Sequence, residues 1–189
     1  MITSKAELNH YLEADRINLR RSEHRPRITD EVWKFQRLLR HLEYIIGTRA
    51  HPLIRKYWTW RLHRQSLRCG FEIPPGVFGP GLSIAHRGTI VVHPKARVGA
   101  NCRIHVDVVI GTQPGPPPEK VPIIDDNCYI GPGVKIYGNV RLGKNLVIGA
   151  NSVVNQSFPE GECTIAGAPA RQVSGRNSAE YIIATRTPS

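Results

Sequence analysis

Three histidines in the middle of the chain, His86, His93 and His105, are the residues best suited to chemistry near neutral pH. Imidazole titrates close to physiological pH, so a positioned histidine can take a proton from an alcohol and hand it to a leaving group. His86 lies in the irregular stretch LSIAHRGTI, which reads as a turn, and His105 follows further along the chain. A corner histidine without chemical duty fits the same pattern, so residue type leaves both readings of His86 open. Cysteine chemistry is a poorer candidate. Cys69, Cys102, Cys128 and Cys163 are scattered and form no CxxC pair, which speaks against a zinc ribbon. Cys102 and Cys128 are expected to be small buried hydrophobes, and no metal is expected.

A six-residue beat must position these side chains. An aliphatic residue recurs at Val92, Val98, Ile104 and Ile110, then after one interruption at Ile124, Ile130, Ile136, Leu142, Ile148 and Val154. Glycine often follows it, as at Gly99, Gly111, Gly131, Gly143 and Gly149. A period of six fits neither a helix nor an alternating strand. It is the pattern of a parallel β-helix, in which each hexapeptide supplies one short strand and one corner. The interruption, residues 112–122, reads TQPGPPPEKVP. Proline and glycine cannot continue a strand ladder, so an extruded loop is expected there, where scaffolds commonly carry function. The fold class is therefore mainly β, with the β-helix over residues 71–173 and a polar, frayed tail over 174–189. His105 directly follows a beat residue, so it faces outward or sits at a corner. Its separation from His86 is close to the three hexapeptides of one coil, so it could bind the acceptor there. Asp107 is a weaker acceptor-site candidate, and His93 reads as surface.

Residues 1–70 read as helical. Thr3 or Ser4 can cap a first helix, with Glu7 completing a capping box. Thr29 or Asp30 can cap a second, in which Val32, Phe35, Leu38, Leu39, Leu42 and Ile45–Ile46 share one face. Gly47 is expected to end it and Pro52 to open a third. That third segment, PLIRKYWTWRLHRQSLR, interleaves Tyr57, Trp58 and Trp60 with arginines. It is open to two readings: a helix packing its aromatics on its neighbours, or a helix lying on an anionic membrane.

At 189 residues the chain can bury one core plus an appendage. No apolar run is long enough to suggest a membrane span, and the polar start MITSKAELNHYLEADR does not read as a secretory signal. A cytoplasmic location is expected. The net charge of +11 is uneven, +8 in residues 1–70 and +3 thereafter, which suggests an anionic partner. No nucleic-acid motif is present, and no nucleic acid is expected as partner.

The stretches GPGLSIAHRGTIVV, IGPGVKIYGNVRLGKNLVIGANSVV and AGAPAR resemble the serine acetyltransferase family of left-handed β-helix acyltransferases, over about Glu72 to Arg171. LNHYLEADRINL, WKFQRLLR and VFGPGLSIAHRGTIVV are similar to short members of that family associated with polysaccharide synthesis. The resemblance implies a left-handed coil, a homotrimer with active sites between subunits, and acetyl-CoA as co-substrate. It implies His86 as general base, oriented by Glu72, which stands one residue closer to it than the family's Asp. It further implies that Gly111, Pro132 and Ala150 flank the pantetheine arm, while Ala168 and Arg171 close over the nucleotide end, where an Arg fork suits a phosphate. By residue type alone, each of these small residues is a tight corner.

Two positions depart from the family's pattern. Ala85 stands where it carries an Asp before the catalytic His, and Val121, in Lys120-Val121-Pro122, replaces a loop His within RHP. Those groups contact the serine amine and carboxylate, and a zwitterion is costly to bury unpaired. The expected function is therefore transfer of acetyl from acetyl-CoA to a hydroxyl of a saccharide or related alcohol. Serine acetylation for cysteine biosynthesis is the second reading, and a non-catalytic trimeric scaffold the third. The basic, aromatic helical region is compatible with a sugar carried on a phosphate-linked lipid, hence with peripheral contact at the inner face of an anionic membrane.

Overall fold

The computed structural model describes residues 1–113 and 120–182. Helix α1 spans Lys5–Asn18, α2 Glu31–Gly47 and α3 Pro52–Cys69. The capping box forms as its residue types suggest: the Ser4 hydroxyl accepts from the Glu7 amide at 3.1 Å and Glu7 accepts from the Thr3 amide at 2.8 Å. Asp30 caps α2 by position without a side-chain bond to the helix; its carboxylate instead accepts from Arg21 Nη2 at 2.8 Å. Gly47 ends α2 against the Ile2 carbonyl, which leaves no room for a Cβ. Pro52 opens α3, and Gly70 ends it with a left-handed φ of 78°.

The β region follows at Phe71, as the beat suggests. Its strands run β1 Phe71–Glu72, β2 Ser83–Ile84, β3 Ile90–Val92, β4 Arg97–Val98, β5 Arg103–Ile104, β6 Val108–Gly111 and β7 Ile123–Ile124. They continue with β8 Tyr129–Ile130, β9 Lys135–Tyr137, β10 Arg141–Leu142, β11 Val147–Ile148, β12 Val153–Val154, β13 Thr164–Gly167 and β14 Ala170–Ser174. They build three faces of a prism. The first face stacks β1, β3, β6, β9 and β12; the second β4, β7 and β10; the third β2, β5, β8, β11 and β13, closed by β14. Every pairing is parallel except the closing hairpin of β13 and β14. Partners on neighbouring coils stand three hexapeptides apart where the repeat is regular, as in Ile130 with Ile148. Across the interruption the separation grows by the length of the extruded segment, as in Ile110 with Ile136. The prism therefore keeps register on both sides of the interruption, where the expected extruded loop falls largely on residues 114–119, outside the described residues.

The beat residues form inward columns, one per face: Val92, Ile110, Ile136 and Val154; Val98, Ile124 and Leu142; Ile84, Ile104, Ile130, Ile148 and Ile165. All are buried. Stacked branched side chains of like volume close-pack the interior. The four cysteines are buried and free. At the edge between the second and third faces, Asn101, Asn127 and Asn145 all take left-handed φ near 55–58°, a conformation asparagine tolerates at tight corners. The segment after β14 departs from the expected frayed tail. Asn177 caps a short 3-10 turn at Ser178–Glu180, and the buried Ser178 donates to the Asn127 carbonyl.

Candidate active site

The edge between the third and first faces gathers most of the candidate residues. In register with the column Ile84, Ile104, Ile130, Ile148 and Ile165, the next positions stack as Ala85, His105, Gly131, Gly149 and Ala166. One place further on stand His86, Val106, Pro132, Ala150 and Gly167. Main-chain bonds fix the rungs: the Ala85 amide donates to Ile104 O at 3.0 Å, His105 to Ile130 O at 3.1 Å and Gly131 to Ile148 O at 2.9 Å. The cofactor candidates Pro132 and Ala150 therefore stack one coil apart and continue the line of His86. Glycine is required at positions 131 and 149 for a local reason: a Cβ there would press on Ile148 O at 2.7 Å or on the Ala166 methyl at 2.9 Å.

His86 is exposed on the turn after β2, and its ring centre lies 6.3 Å from that of His105. His105 stacks in turn toward Tyr129 at 5.0 Å, and Tyr129 toward Tyr181 at 5.1 Å. Burial, with the Arg103 guanidinium and His86 nearby, lowers the His105 pKa to about 4. Its imidazole is therefore neutral at working pH, and its buried Nε2 has no protein partner. Arg103, directly before the beat residue Ile104, is half-buried and donates to Ser83 Oγ at 3.0 Å.

The turn carrying His86 is held from behind by the helices. Gln36 Nε2 donates to Leu82 O at 2.6 Å, and its Oε1 accepts from the Ile84 amide at 3.1 Å. Arg40, wholly buried, donates to Asp15, Glu43, Phe78 O and Gly79 O, while Asp15 accepts from the Leu82 amide at 2.8 Å. Between the connection of α1 to α2 and the His86 turn lies a cleft of about 240 Å³, lined by Arg21, Trp33, Ala85, His86, Arg87 and Arg103 among others.

Most other candidates stand elsewhere. Glu72 is exposed on β1, in register with Val91 on the first face; among the described residues no hydrogen bond or ion pair joins it to His86. Asp107 lies on the His86 edge itself, in the left-handed corner between β5 and β6 with φ 60°, and pairs with Lys135 Nζ at 2.9 Å. Gly111 ends β6, and among the described residues nothing lies within 4 Å of where a Cβ would stand. Val121 lies just before β7, next to the Pro122 carbonyl that accepts from the Arg97 amide. Gly111 and Val121 thus mark the edge between the first and second faces, separated from His86 by the width of the first face, about 10 Å for a short extended strand. Ala168, in the turn of the β13–β14 hairpin, and Arg171, at the start of β14, are both exposed. Arg171 Nη1 donates to Ala170 O at 3.0 Å. Arg103, Tyr129, Trp33 and Gln36 join the site without having been expected there from the sequence. The first two carry a signal that could have found them, because each occupies the outward position before a beat residue in the same column as Ser83.

Fold and edge together define the class: a left-handed parallel β-helix of hexapeptide repeats behind three helices. Residues 122–156 match the bacterial transferase hexapeptide (six repeats) family. A serine acetyltransferase of Synechococcus elongatus is 36% identical over 112 residues, 59% of this chain and 46% of that protein. One of Staphylococcus epidermidis is 38% identical over 125 residues, 64% of this chain and 58% of that protein. The chain thus spans about half the length of the curated relatives it matches. The crystal structure of serine acetyltransferase from Brucella abortus in complex with coenzyme A superposes with a TM-score of 0.73 at 28% identity, over 92% of this chain and 70% of that one. These relatives are serine acetyltransferases, and they lend no support to the expected likeness to polysaccharide-associated members.

Proposed function

We propose that the protein is an acetyl-CoA-dependent O-acetyltransferase with His86 as general base. One observation carries this reading: His86 and the neutral His105 begin an edge that runs on through Pro132 and Ala150, beside a cleft large enough for part of an acceptor. His86 would take the proton of an acceptor hydroxyl as its oxygen attacks the thioester carbonyl. The tetrahedral oxyanion would then collapse, and the imidazolium would protonate the departing CoA sulfur. The coenzyme A complex of the Brucella relative supports acetyl-CoA as donor. Gly111, Pro132, Ala150, Ala168 and Arg171 are the residues we assign to it.

Most of the assigned residues lie on two edges, which the rigid first face of one chain holds apart. A neighbouring copy can, by laying its Gly111–Val121 edge against the His86 edge. This favours a homotrimer with composite sites.

For the acceptor, the names of the relatives favour L-serine. Ala85 and Val121 favour a saccharide hydroxyl, because neither can pair with a zwitterion. Thiol release from acetyl-CoA separates the two when L-serine is run against neutral sugars, acidic sugars and sugar phosphates. Turnover with serine alone assigns serine; turnover with sugars alone assigns the saccharide.

We also infer peripheral contact with anionic lipid through α3. Leu53, Tyr57, Trp60 and Leu67 are exposed along this helix, which carries Arg55, Lys56, Arg61, Arg64 and Arg68 and no Asp or Glu. Co-sedimentation with phosphatidylglycerol vesicles but not phosphatidylcholine vesicles is expected at low salt. Equal behaviour with both would remove the contact.

A further inference from the structure

We propose that the cleft beside His86 binds an acid group of the acetyl acceptor, carboxylate or phosphate, through Arg103, Arg21 and the indole N–H of Trp33. The assignment of that ligand as the acceptor rests on the O-acetyltransferase reading; the anion site itself rests on the cleft.

Two donors in this cleft lack the partners their burial demands, and a third group is a cation with no counter-charge among the described residues. Trp33 is 1% exposed, and its Nε1 finds no acceptor. Arg21 gives Nη2 to Asp30 at 2.8 Å, yet its buried Nε is also without an acceptor. Its guanidinium lies 5.9 Å from the centre of the Trp33 ring, so the two orphaned donors are neighbours. Arg103 is half-buried, and its side chain donates to the neutral Ser83 hydroxyl. Among the described residues no carboxylate forms an ion pair with it, and Arg20 adds a like charge nearby.

Burying a polar N–H without an acceptor, or a guanidinium without a counter-charge, is unfavourable. The carboxylates at the cleft do not relieve this. Asp30 is engaged by Arg21, and Glu31 by Gln65 Nε2 at 2.6 Å and Lys34 Nζ at 3.3 Å. A ligand oxyanion in the cleft that these three residues line would supply the acceptor or counter-charge each lacks, and guanidinium forks match carboxylate and phosphate geometry. Because His86 and Ala85 line the same cleft, the anchored acid group sets the acceptor hydroxyl toward the base. The cation on Arg103 also helps keep His105 neutral.

Calorimetric titration of the full chain with glycerol, glycerate and glycerol 3-phosphate at fixed ionic strength tests this. At least one of the two anions is expected to bind at least tenfold more tightly than glycerol, and the tighter of the two identifies carboxylate or phosphate as the group. Arg103→Gln is expected to weaken that anion about tenfold or more, the scale of a lost charge-assisted bond. Trp33→Phe, which keeps an aromatic ring and removes the donor, is expected to weaken it severalfold. Arg141→Gln on β10 removes the same charge at a distance and is expected to leave it unchanged. Binding of glycerol as tight as that of both anions, or anion affinity unchanged in Trp33→Phe and Arg103→Gln, would overturn the proposal. Titration with CoA on the same samples reports folding of the variants and tests the O-acetyltransferase reading separately.

Discussion

His105 owes its ionisation state to its neighbours. Burial and the adjacent Arg103 hold its pKa at about 4, against about 6.5 in an unfolded chain. The depressed value means the folded protein binds the proton less readily than the unfolded one. The neutral ring therefore contributes stability that is complete above about pH 6.5 and is lost as the pH falls from there toward 4. NMR titration is expected to show the His105 ring neutral at about pH 5.5, with the unfolding midpoint declining as the pH drops from about 6.5 toward 4. Protonation of His105 at the ordinary histidine pKa would contradict this, and would remove its neutral role beside His86. The pairing of His86 with His105 is half legible in the sequence. Their spacing places them about one coil apart, but the register sets Ala85, not His86, directly over His105. The offset arises because the first coils are irregular: Phe71 pairs with Ile90 and Ser83 with Arg103, each a longer step than three hexapeptides.

At the scale of elements, the β-helix is readable because its signal is local and repeated: each hexapeptide states its own strand and corner. The docking of the helices is not. Gln36 and Arg40 lie on the same helix as the apolar stripe of Val32, Phe35 and Leu39, and a charged residue is seldom fully buried unless paired. Arg40 is paired by Asp15 on α1 and by the Phe78 carbonyl at the start of the β-helix, so no local pattern announces it. Gln36 matters most for chemistry, since it bonds both sides of Leu82–Ile84, just short of His86. Gln36→Leu leaves a buried carbonyl and a buried amide unpartnered, at about 1–3 kcal/mol for each such group. Urea unfolding should show a loss of about 2 kcal/mol or more, and turnover should fall further than CoA affinity does. Unchanged stability and turnover would mean that the β-helix holds the His86 turn without the helices.

For the whole molecule, the decisive fact is that most of the assigned residues occupy two edges of one prism. His86, His105, Pro132 and Ala150 share one; Gly111 and Val121 mark the other. A single sequence shows repeats and corners but not how copies meet, and this is why the acceptor side of the site is the least legible part. Sedimentation velocity is expected to give a species of about three chain masses, each chain being 21.2 kDa. A monomer with full activity would contradict a composite site. The most direct test of the central claim is thiol release from acetyl-CoA by the wild type and by His86→Ala, run with the best acceptor from the serine and sugar panel. Turnover is expected to fall about 100-fold or more in the variant, the scale of a lost general base, while CoA affinity is unchanged. Equal turnover in the two proteins would contradict the assignment of His86 and with it the reading of this edge as the active site.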